Sequence, residues 1–379
     1  VPSGPMRRLT VVQLLPALNA GGVERSTLEI ARALVAAGHR AVVVSAGGRL
    51  VPALEASGAE HITLDIGRKS LLTLRHARGL RRLFADMRPD IVHARSRLPA
   101  WLGWRALQAL QAMPVAARAR FVTTVHGLNS PSRYSAVMTR GERVICVSET
   151  VRRYVLAHYP ATDPAILRVI PRGIDPAAFP RRPWPDADAR AAVAREHPAL
   201  AGSGPLLLLP GRGTRLKGHG DAIELLRRLR GSGNDARLWM PGAREPGRER
   251  YVAELEQAAA AAGVGGALVL TAPTDAIAGA YAASDLVLQL SRKPEAFGRT
   301  VLEALSVGRP VLGWAHGGVG DLLGELLPAG AVPPFDADAL ARAATTLLDP
   351  AARPSIATMP DTLAAMQAAT LAVYSELCP

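Results

Sequence analysis

The residues with the clearest chemical content lie late in the chain, in Pro294-Glu295-Ala296-Phe297-Gly298-Arg299-Thr300-Val301-Leu302-Glu303-Ala304. Seven residues separate the two glutamates, and between them lie a Phe-Gly turn and the opening of an apolar helical pattern. The run Asp285-Leu286-Val287-Leu288-Gln289-Leu290-Ser291 just upstream reads as a buried strand. Glu295, Phe297 and Gly298 therefore fall on a strand-to-helix loop, and Glu303 falls inside the helix. A helix N-terminus presents free N–H groups and favours a phosphate. A carboxylate two turns in can accept from a ribose diol, as acidic residues do in other nucleotide sites. One glutamate at a sugar, amides at phosphates and one glutamate at a ribose form the layout of a nucleotide-sugar site.

Three further loops carry candidate groups. Arg212 and Lys217 lie in Gly211-Arg212-Gly213-Thr214-Arg215-Leu216-Lys217-Gly218, which follows a strand. They can reach a diphosphate, the arginine as a fork and the lysine as a point charge. Glycine follows the lysine where a Walker loop has Ser or Thr. Gly21-Gly22-Val23-Glu24 follows the first strand and opens a helix. It suits close approach by a bulky anion, or simply a tight turn with positive φ. The third glycine and the acidic residue of the dinucleotide fingerprint are missing. His126, in Val125-His126-Gly127, closes a strand, at the edge where ligands bind in open α/β sheets. Two aspartate triplets, Asp186-Ala187-Asp188 and Asp336-Ala337-Asp338, read as linker and helix-cap residues, so no metal is expected. There is no zinc spacing and no Gly-x-Ser-x-Gly elbow.

Alternating elements must position these loops. Strand patterns occupy 9–16, 40–46, 60–65, 90–94, 121–126, 144–148 and 168–171, with helical patterns between them, including 24–37 and 71–87. Such alternation predicts βαβ units and a parallel sheet. Phe179-Pro180-Arg181-Arg182-Pro183-Trp184-Pro185-Asp186 breaks the pattern. Strands then resume at 206–210, 237–241, 267–270, 286–290 and 311–314. The expectation is two doubly wound domains. Residues 1–180 form the first, 181–204 a linker, 205–358 the second, and 359–379 a C-terminal helix. That helix has Leu363, Met366, Leu371, Tyr374 and Leu377 to bury, and Pro360-Asp361 to start it.

At 379 residues, 49% hydrophobic and 20% charged, the chain is a two-domain globular protein by composition. Its two cysteines, Cys146 and Cys378, suit a reduced, cytoplasmic setting. No apolar run reaches transmembrane length, and the segment before Met6 lacks a signal peptide's apolar core. The net charge of +13 is concentrated in the first domain, in Arg68, Lys69, Arg75, Arg78, Arg81, Arg82 and beyond. Two readings stay open: an anionic partner, or an arginine-rich composition that is merely solvated.

Together these pieces resemble the family 4 glycosyltransferases, over nearly the whole chain. The resemblance rests on Gly21-Gly22-Val23-Glu24, Val125-His126-Gly127, Val144-Ile145-Cys146-Val147-Ser148-Glu149 and Val169-Ile170-Pro171-Arg172-Gly173-Ile174-Asp175. Gly211-Arg212 with Lys217-Gly218, and the Glu295 to Glu303 element, complete it. It implies the GT-B fold, with two Rossmann-like doubly wound domains facing a central cleft and a C-terminal helix crossing back to the first. It implies retaining transfer of a hexose-type sugar from a nucleoside-diphosphate sugar, UDP first and GDP second, with no other cofactor. Arg212 and Lys217 would neutralise the departing diphosphate, and Gly22, beside Gly21, would give it an amide. Glu295 and the amides near Phe297-Gly298 would hold the sugar, those of Thr300 and Val301 the phosphate, and Glu303 the ribose. His126 would lie by the reacting face.

Within the family, Ile91-Val92-His93-Ala94-Arg95-Ser96-Arg97 and Tyr134-Ser135-Ala136-Val137-Met138-Thr139-Arg140-Gly141 resemble the lipopolysaccharide-core branch. The implied partner is a glycan or glycolipid acceptor. Ala296 stands where many members have glycine, and Asp321 in Gly317-Gly318-Val319-Gly320-Asp321 where the usual residue is glutamate.

The helical pattern at 71–87 places Leu72, Leu80, Leu83 and Phe84 on an apolar face and Arg75, Arg78 and Arg82 on another. A second, at 98–113, adds Trp101, Trp104 and Arg105. These are either ordinary helices packed on a sheet or a peripheral contact with the anionic inner membrane face. Other readings also stand: a binder without transferase activity, a transferase for a small soluble acceptor, and a nucleotide-dependent oxidoreductase. Nucleic acid is not an expected partner, since aromatics are only 4% and no platform is interleaved with the basic residues.

Overall fold

A computed structural model describes residues 7–19, 21–68, 70, 73, 75–110, 118–352, 359 and 361–379. Met6, Ala20, Lys69, Leu72, Pro360 and the 111–113 end of the second basic helical pattern lie outside the described residues. The chain divides into two compact units, Val1–Pro171 with Leu363–Pro379, and Arg172–Thr362.

The first unit has strands β1 (Thr10–Leu14), β2 (Arg40–Ser45), β3 (Glu60–Thr63) and β4 (Ile91–Ala94). Strands β5 (Arg120–Val125), β6 (Arg143–Cys146) and β7 (Leu167–Val169) follow. They form one parallel sheet in the order β3-β2-β1-β4-β5-β6-β7. The direction of winding reverses between β1 and β4. Helices α1 (Gly22–Ala36), α2 (Val51–Glu55), α3 (His76–Met87), α4 (Arg97–Gln108) and α5 (Glu149–His158) make the crossovers. Apolar β-branched runs such as Thr10-Val11-Val12-Gln13-Leu14 suit a sheet covered on both faces.

The second unit opens with α6 (Ala187–Glu196), so residues 181–204 carry a helix of their own. Its strands are β8 (Leu206–Leu208), β9 (Arg237–Pro241), β10 (Leu268–Thr271), β11 (Leu286–Gln289), β12 (Val311–Trp314) and β13 (Ala331–Val332). The sheet order is β10-β9-β8-β11-β12-β13, again parallel, and the winding reverses between β8 and β11. Helices α7 (His219–Gly231), α8 (Glu249–Ala261), α9 (Ile277–Ala283), α10 (Arg299–Val307), α11 (Gly317–Leu326) and α12 (Ala337–Leu347) cover it. Leu207, Leu226, Met240, Leu288 and Trp314 belong to its core. The two-residue β13 has no expected counterpart, because a run that short carries no period.

Two polar devices fix the frame. Arg309, fully buried, donates to the carbonyls of Pro183 (2.5 Å) and Ala282 (2.7 Å) and so ties the proline-rich segment to α9. In the first unit, helix α13 (Leu363–Leu377) buries Met366, Val373, Tyr374 and Leu377 in the core with Leu34 and Val43. The Tyr374 hydroxyl lies 2.6 Å from His93 Nδ1, and His93 Nε2 lies 2.6 Å from Thr124 Oγ1. One buried imidazole thereby joins α13, β4 and β5. Asp186 and Asp336 accept from the backbone amides of Ala189 (3.0 Å) and Ala339 (2.8 Å), which makes both helix caps.

Candidate active site

In an open parallel sheet, the loops after the two strands that flank the reversal of winding lie side by side. In the second unit those strands are β8 and β11, which pair through Val287 and Leu208. The loop after β8 carries Arg212 and Lys217. The loop after β11 carries Ser291, Glu295, Phe297 and Gly298.

Lys217 ends a single helical turn, and Gly218 follows with φ 76°. A Cβ on Gly218 would sit 2.0 Å from the Leu290 carbonyl oxygen, so only glycine lets the loop lie against the end of β11. The Arg292 amide donates to the Leu216 carbonyl at 2.8 Å and ties the loops together. This close approach brings Lys217 Nζ to within 2.6 Å of Glu295 Oε1.

The Glu295 carboxylate is held on several sides. Ser291 Oγ donates to Oε1, and Gln289 Nε2 donates to Oε2 at 3.3 Å. The Glu295 carbonyl accepts from the Gly318 amide at 2.8 Å, which seats the loop on the start of α11. His316 Nε2 lies 2.8 Å from the Ser291 carbonyl, which makes that nitrogen the protonated one. Lys217 and Glu295 keep side-chain exposures of 28% and 26%, so both remain open to a ligand.

Gly298 caps α10 with φ 115°, and a Cβ there would lie 2.9 Å from Val319 Cγ2. No side chain caps this N-terminus, so its dipole faces the loop. The Val301 amide donates to the Gly298 carbonyl at 2.9 Å, so that N–H is occupied within the first turn. Phe297 is buried, which leaves its backbone rather than its ring to the site. Thr300 is half-buried on the same turn.

Glu303 is 7% exposed, one turn past Arg299. Tyr281 OH donates to its Oε2 at 2.8 Å, and Arg299 Nε lies 3.1 Å from its Oε1. Burial first, then the Glu303 charge, holds the Tyr281 hydroxyl well above its ordinary value, so it stays a donor. The carboxylate is thus oriented by a buried phenol and screened by a half-buried guanidinium.

Of the sequence-derived residues, Lys217 and Glu295 are in direct contact, and Phe297, Gly298, Thr300, Val301 and Glu303 follow Glu295 on the same loop and on α10. Arg212 lies on the neighbouring loop, exposed, with no side-chain partner among the described residues. Gly21, Gly22 and His126 belong to the first unit. Gly21 and Gly22 are exposed at the start of α1. His126 follows β5 and lines a cavity of about 240 Å³ with Arg95, Ser96, Arg97 and Asn129. Tyr281, Ser291 and Gln289 were not singled out in the sequence reading. Gln289 carries a signal, as an amide inside an otherwise apolar strand. Among the described residues, no three His, Cys, Asp or Glu come together as a metal cluster.

Two parallel Rossmann-like sheets, one of which gathers cations and carboxylates at its reversal point, define the GT-B class. Residues 20–178 match the model described as Glycosyltransferase Family 4, and residues 192–355 match Glycosyl transferases group 1. The two matches together take in most of the chain, and the chain belongs to the family 4 glycosyltransferases.

A curated relative is the 2-deoxystreptamine N-acetyl-D-glucosaminyltransferase of Streptomyces fradiae, 28% identical over 280 residues, 68% of this chain. The chain spans 62% of the length of that relative. Among solved structures, a glycosyltransferase from Rickettsia africae is 26% identical with a TM-score of 0.84, covering 98% of both chains. Anabaena HepE in complex with UDP and glucose is 19% identical with a TM-score of 0.78, covering 97% of this chain and all of its own (100%).

Proposed function

We propose that the chain is a retaining glycosyltransferase that moves a hexose-type sugar from a nucleoside-diphosphate sugar to a bacterial surface glycan, such as a lipopolysaccharide core. Residues 205–358 are the donor domain and 1–180 the acceptor domain, joined by 181–204 and closed by 359–379. The observation that carries this reading is the Lys217–Glu295 pair, 2.6 Å apart, beside the uncapped N-terminus of α10 and upstream of Glu303. The sugar and its β-phosphate are bonded neighbours, so the groups that hold them must be neighbours too. UDP is the first choice of nucleotide, supported by the UDP and glucose in the Anabaena structure.

In the proposed reaction the bond from the sugar's anomeric carbon to the diphosphate oxygen breaks and the acceptor oxygen bonds to the same face. The acceptor's proton passes to the departing diphosphate, so no separate protein base is needed. Arg212 and Lys217 stabilise the charge that grows on the diphosphate, which favours the transition state over the ground state. Glu295 orients the sugar hydroxyls, and Glu303 accepts from the ribose once Arg299 turns to the phosphate. His126 stands by the sugar in the acceptor domain.

Two alternative readings remain. A small soluble acceptor is favoured by the acceptor in the name of the Streptomyces fradiae relative. A nucleotide-sugar binder without transferase activity shares the same patch. We also propose a peripheral contact with the anionic inner membrane face of the cytoplasm. Arg78, Arg81 and Arg105 line a groove of about 300 Å³ between α3 and α4, with no acid among its lining residues. No helix among the described residues is long and apolar enough to cross a membrane. Donor cleavage tests the whole reading: a folded protein that turns over no sugar nucleotide in the presence of acceptor glycans is not this enzyme.

A further inference from the structure

The cavity of about 240 Å³ in the first unit lies at the carboxyl ends of β4 and β5 and against Val23 of α1, next to the reversal between β1 and β4. It is lined by two arginines and by no carboxylate. Arg95 is only 3% exposed. Its Nε donates to Gln13 Oε1 at 2.7 Å and its Nη1 to Ser26 Oγ at 3.2 Å. Its Nη2 is buried with no hydrogen-bond partner. The field of the buried Glu29 reaches this guanidinium, but Arg95 makes no ion pair among the described residues.

Arg97, two residues on, is half-buried. Its Nη1 donates to Ser135 Oγ at 3.2 Å, and its guanidinium carbon stands 5.5 Å from the centre of the Tyr134 ring. It too makes no ion pair among the described residues. These contacts fix the plane of the guanidinium and leave its charge uncompensated. Ser96, His126 and Asn129 add hydrogen-bonding groups to the same wall.

Burying a charge without a direct ion pair is costly, and removing it from water strengthens its pull on any anion that enters. Two arginines that line one small cavity suit an oxyanion with several acceptor oxygens. A cationic acceptor meets the opposite field, which separates this chain from a transferase whose acceptor is an amine. Resting on the transferase reading above, we propose that this cavity binds a phosphate group on the acceptor, so the sugar is delivered to a phosphorylated polyol or glycolipid. Helix α13 serves the cavity as a positioning element. Tyr374 holds His93 at 2.6 Å and lies beside Arg95.

The test is a calorimetric titration of the full chain with glycerol 3-phosphate and with glycerol. Wild type binds the phosphate and not glycerol. Arg97→Gln weakens binding at least about tenfold, and Arg97→Lys recovers part of it. Arg342→Gln, an exposed arginine of the second unit, removes the same net charge elsewhere and leaves binding as it was. Equal losses in Arg97→Gln and Arg342→Gln, or no loss in Arg97→Gln, overturn the assignment, as does binding of glycerol as tight as that of its phosphate.

Vesicles of phosphatidylglycerol separate the two sources of the group. Capture that depends on Arg97 and is competed by glycerol 3-phosphate assigns a lipid-borne phosphate. Binding of the soluble ester without such capture assigns a soluble acceptor. UDP titrated into the same samples tests the donor reading separately. Loss of UDP binding with intact glycerol 3-phosphate binding would fault the donor reading and leave the cavity standing.

Discussion

Lys217 and Glu295 meet at 2.6 Å although they stand 78 positions apart in sequence. They sit on the two loops that flank the β8–β11 reversal, and Gly218 makes the approach sterically possible. The contact joins a cation suited to a diphosphate to a carboxylate suited to a sugar.

The pair is partly exposed, at 28% and 26%, so its own contribution to stability is small, about 1 kcal/mol. Lys217→Ala should therefore leave the thermal midpoint nearly unchanged. It should lower kcat for sugar transfer by roughly 10² to 10³, the usual loss when one charge-stabilising donor is removed. A large drop in midpoint with little change in kcat would make the pair a structural tie instead.

Tyr281 orients Glu303 from the buried side, with its hydroxyl 2.8 Å from Oε2. Tyr281→Phe removes that donor and leaves the carboxylate under-satisfied, which costs about 1–3 kcal/mol of stability. If Glu303 holds the ribose, the variant should raise KM for the donor several-fold and change kcat little. Steady-state kinetics with varied donor decides this.

His219 gives the second unit a pH dependence. Burial, opposed by a backbone hydrogen bond to Thr214, pushes its pKa down to about 4. The unfolded imidazole titrates near about 6.5, so as pH falls below that value the unfolded state binds a proton that the folded state refuses. Stability is fully present above about pH 6.5 and declines toward pH 4 by about 1.4 kcal/mol per pH unit. His93, driven well below its ordinary value by burial, acts in the same direction in the first unit. Urea unfolding between pH 7.5 and 4.5 should show the decline, and His219→Asn should flatten it in the second unit. A wild-type curve level down to pH 5 would contradict this.

Arg309 has no exposed surface and donates to the carbonyls of Pro183 and Ala282. Arg309→Met keeps apolar volume but leaves those carbonyls without their donor. A buried acceptor left without its donor costs about 1–3 kcal/mol. The second unit should unfold at lower denaturant, and the Pro183 segment should become accessible to protease.

The sequence made the sheets legible because buried parallel strands are near-continuous apolar runs, and each of the expected strands forms, with ends shifted by a few residues. The second glutamate was legible for a local reason: a helix fixes Glu303 relative to Gly298. What was hidden depends on strand order. Nothing local brings Lys217 to Glu295, or His93 to Tyr374 across 281 residues. Tyr281 lies among small apolar residues of α9 and reads as core, and only the register of α9 against α10 turns its hydroxyl to Glu303.

The most direct measurement is thermal shift and cleavage with UDP-, GDP- and ADP-sugars, for wild type, Lys217→Ala and Glu303→Ala. The account predicts that one sugar nucleotide stabilises wild type and is slowly cleaved, and that both variants lose both effects while remaining folded. No response to any donor in folded wild-type protein, or an unchanged response in both variants, would contradict it.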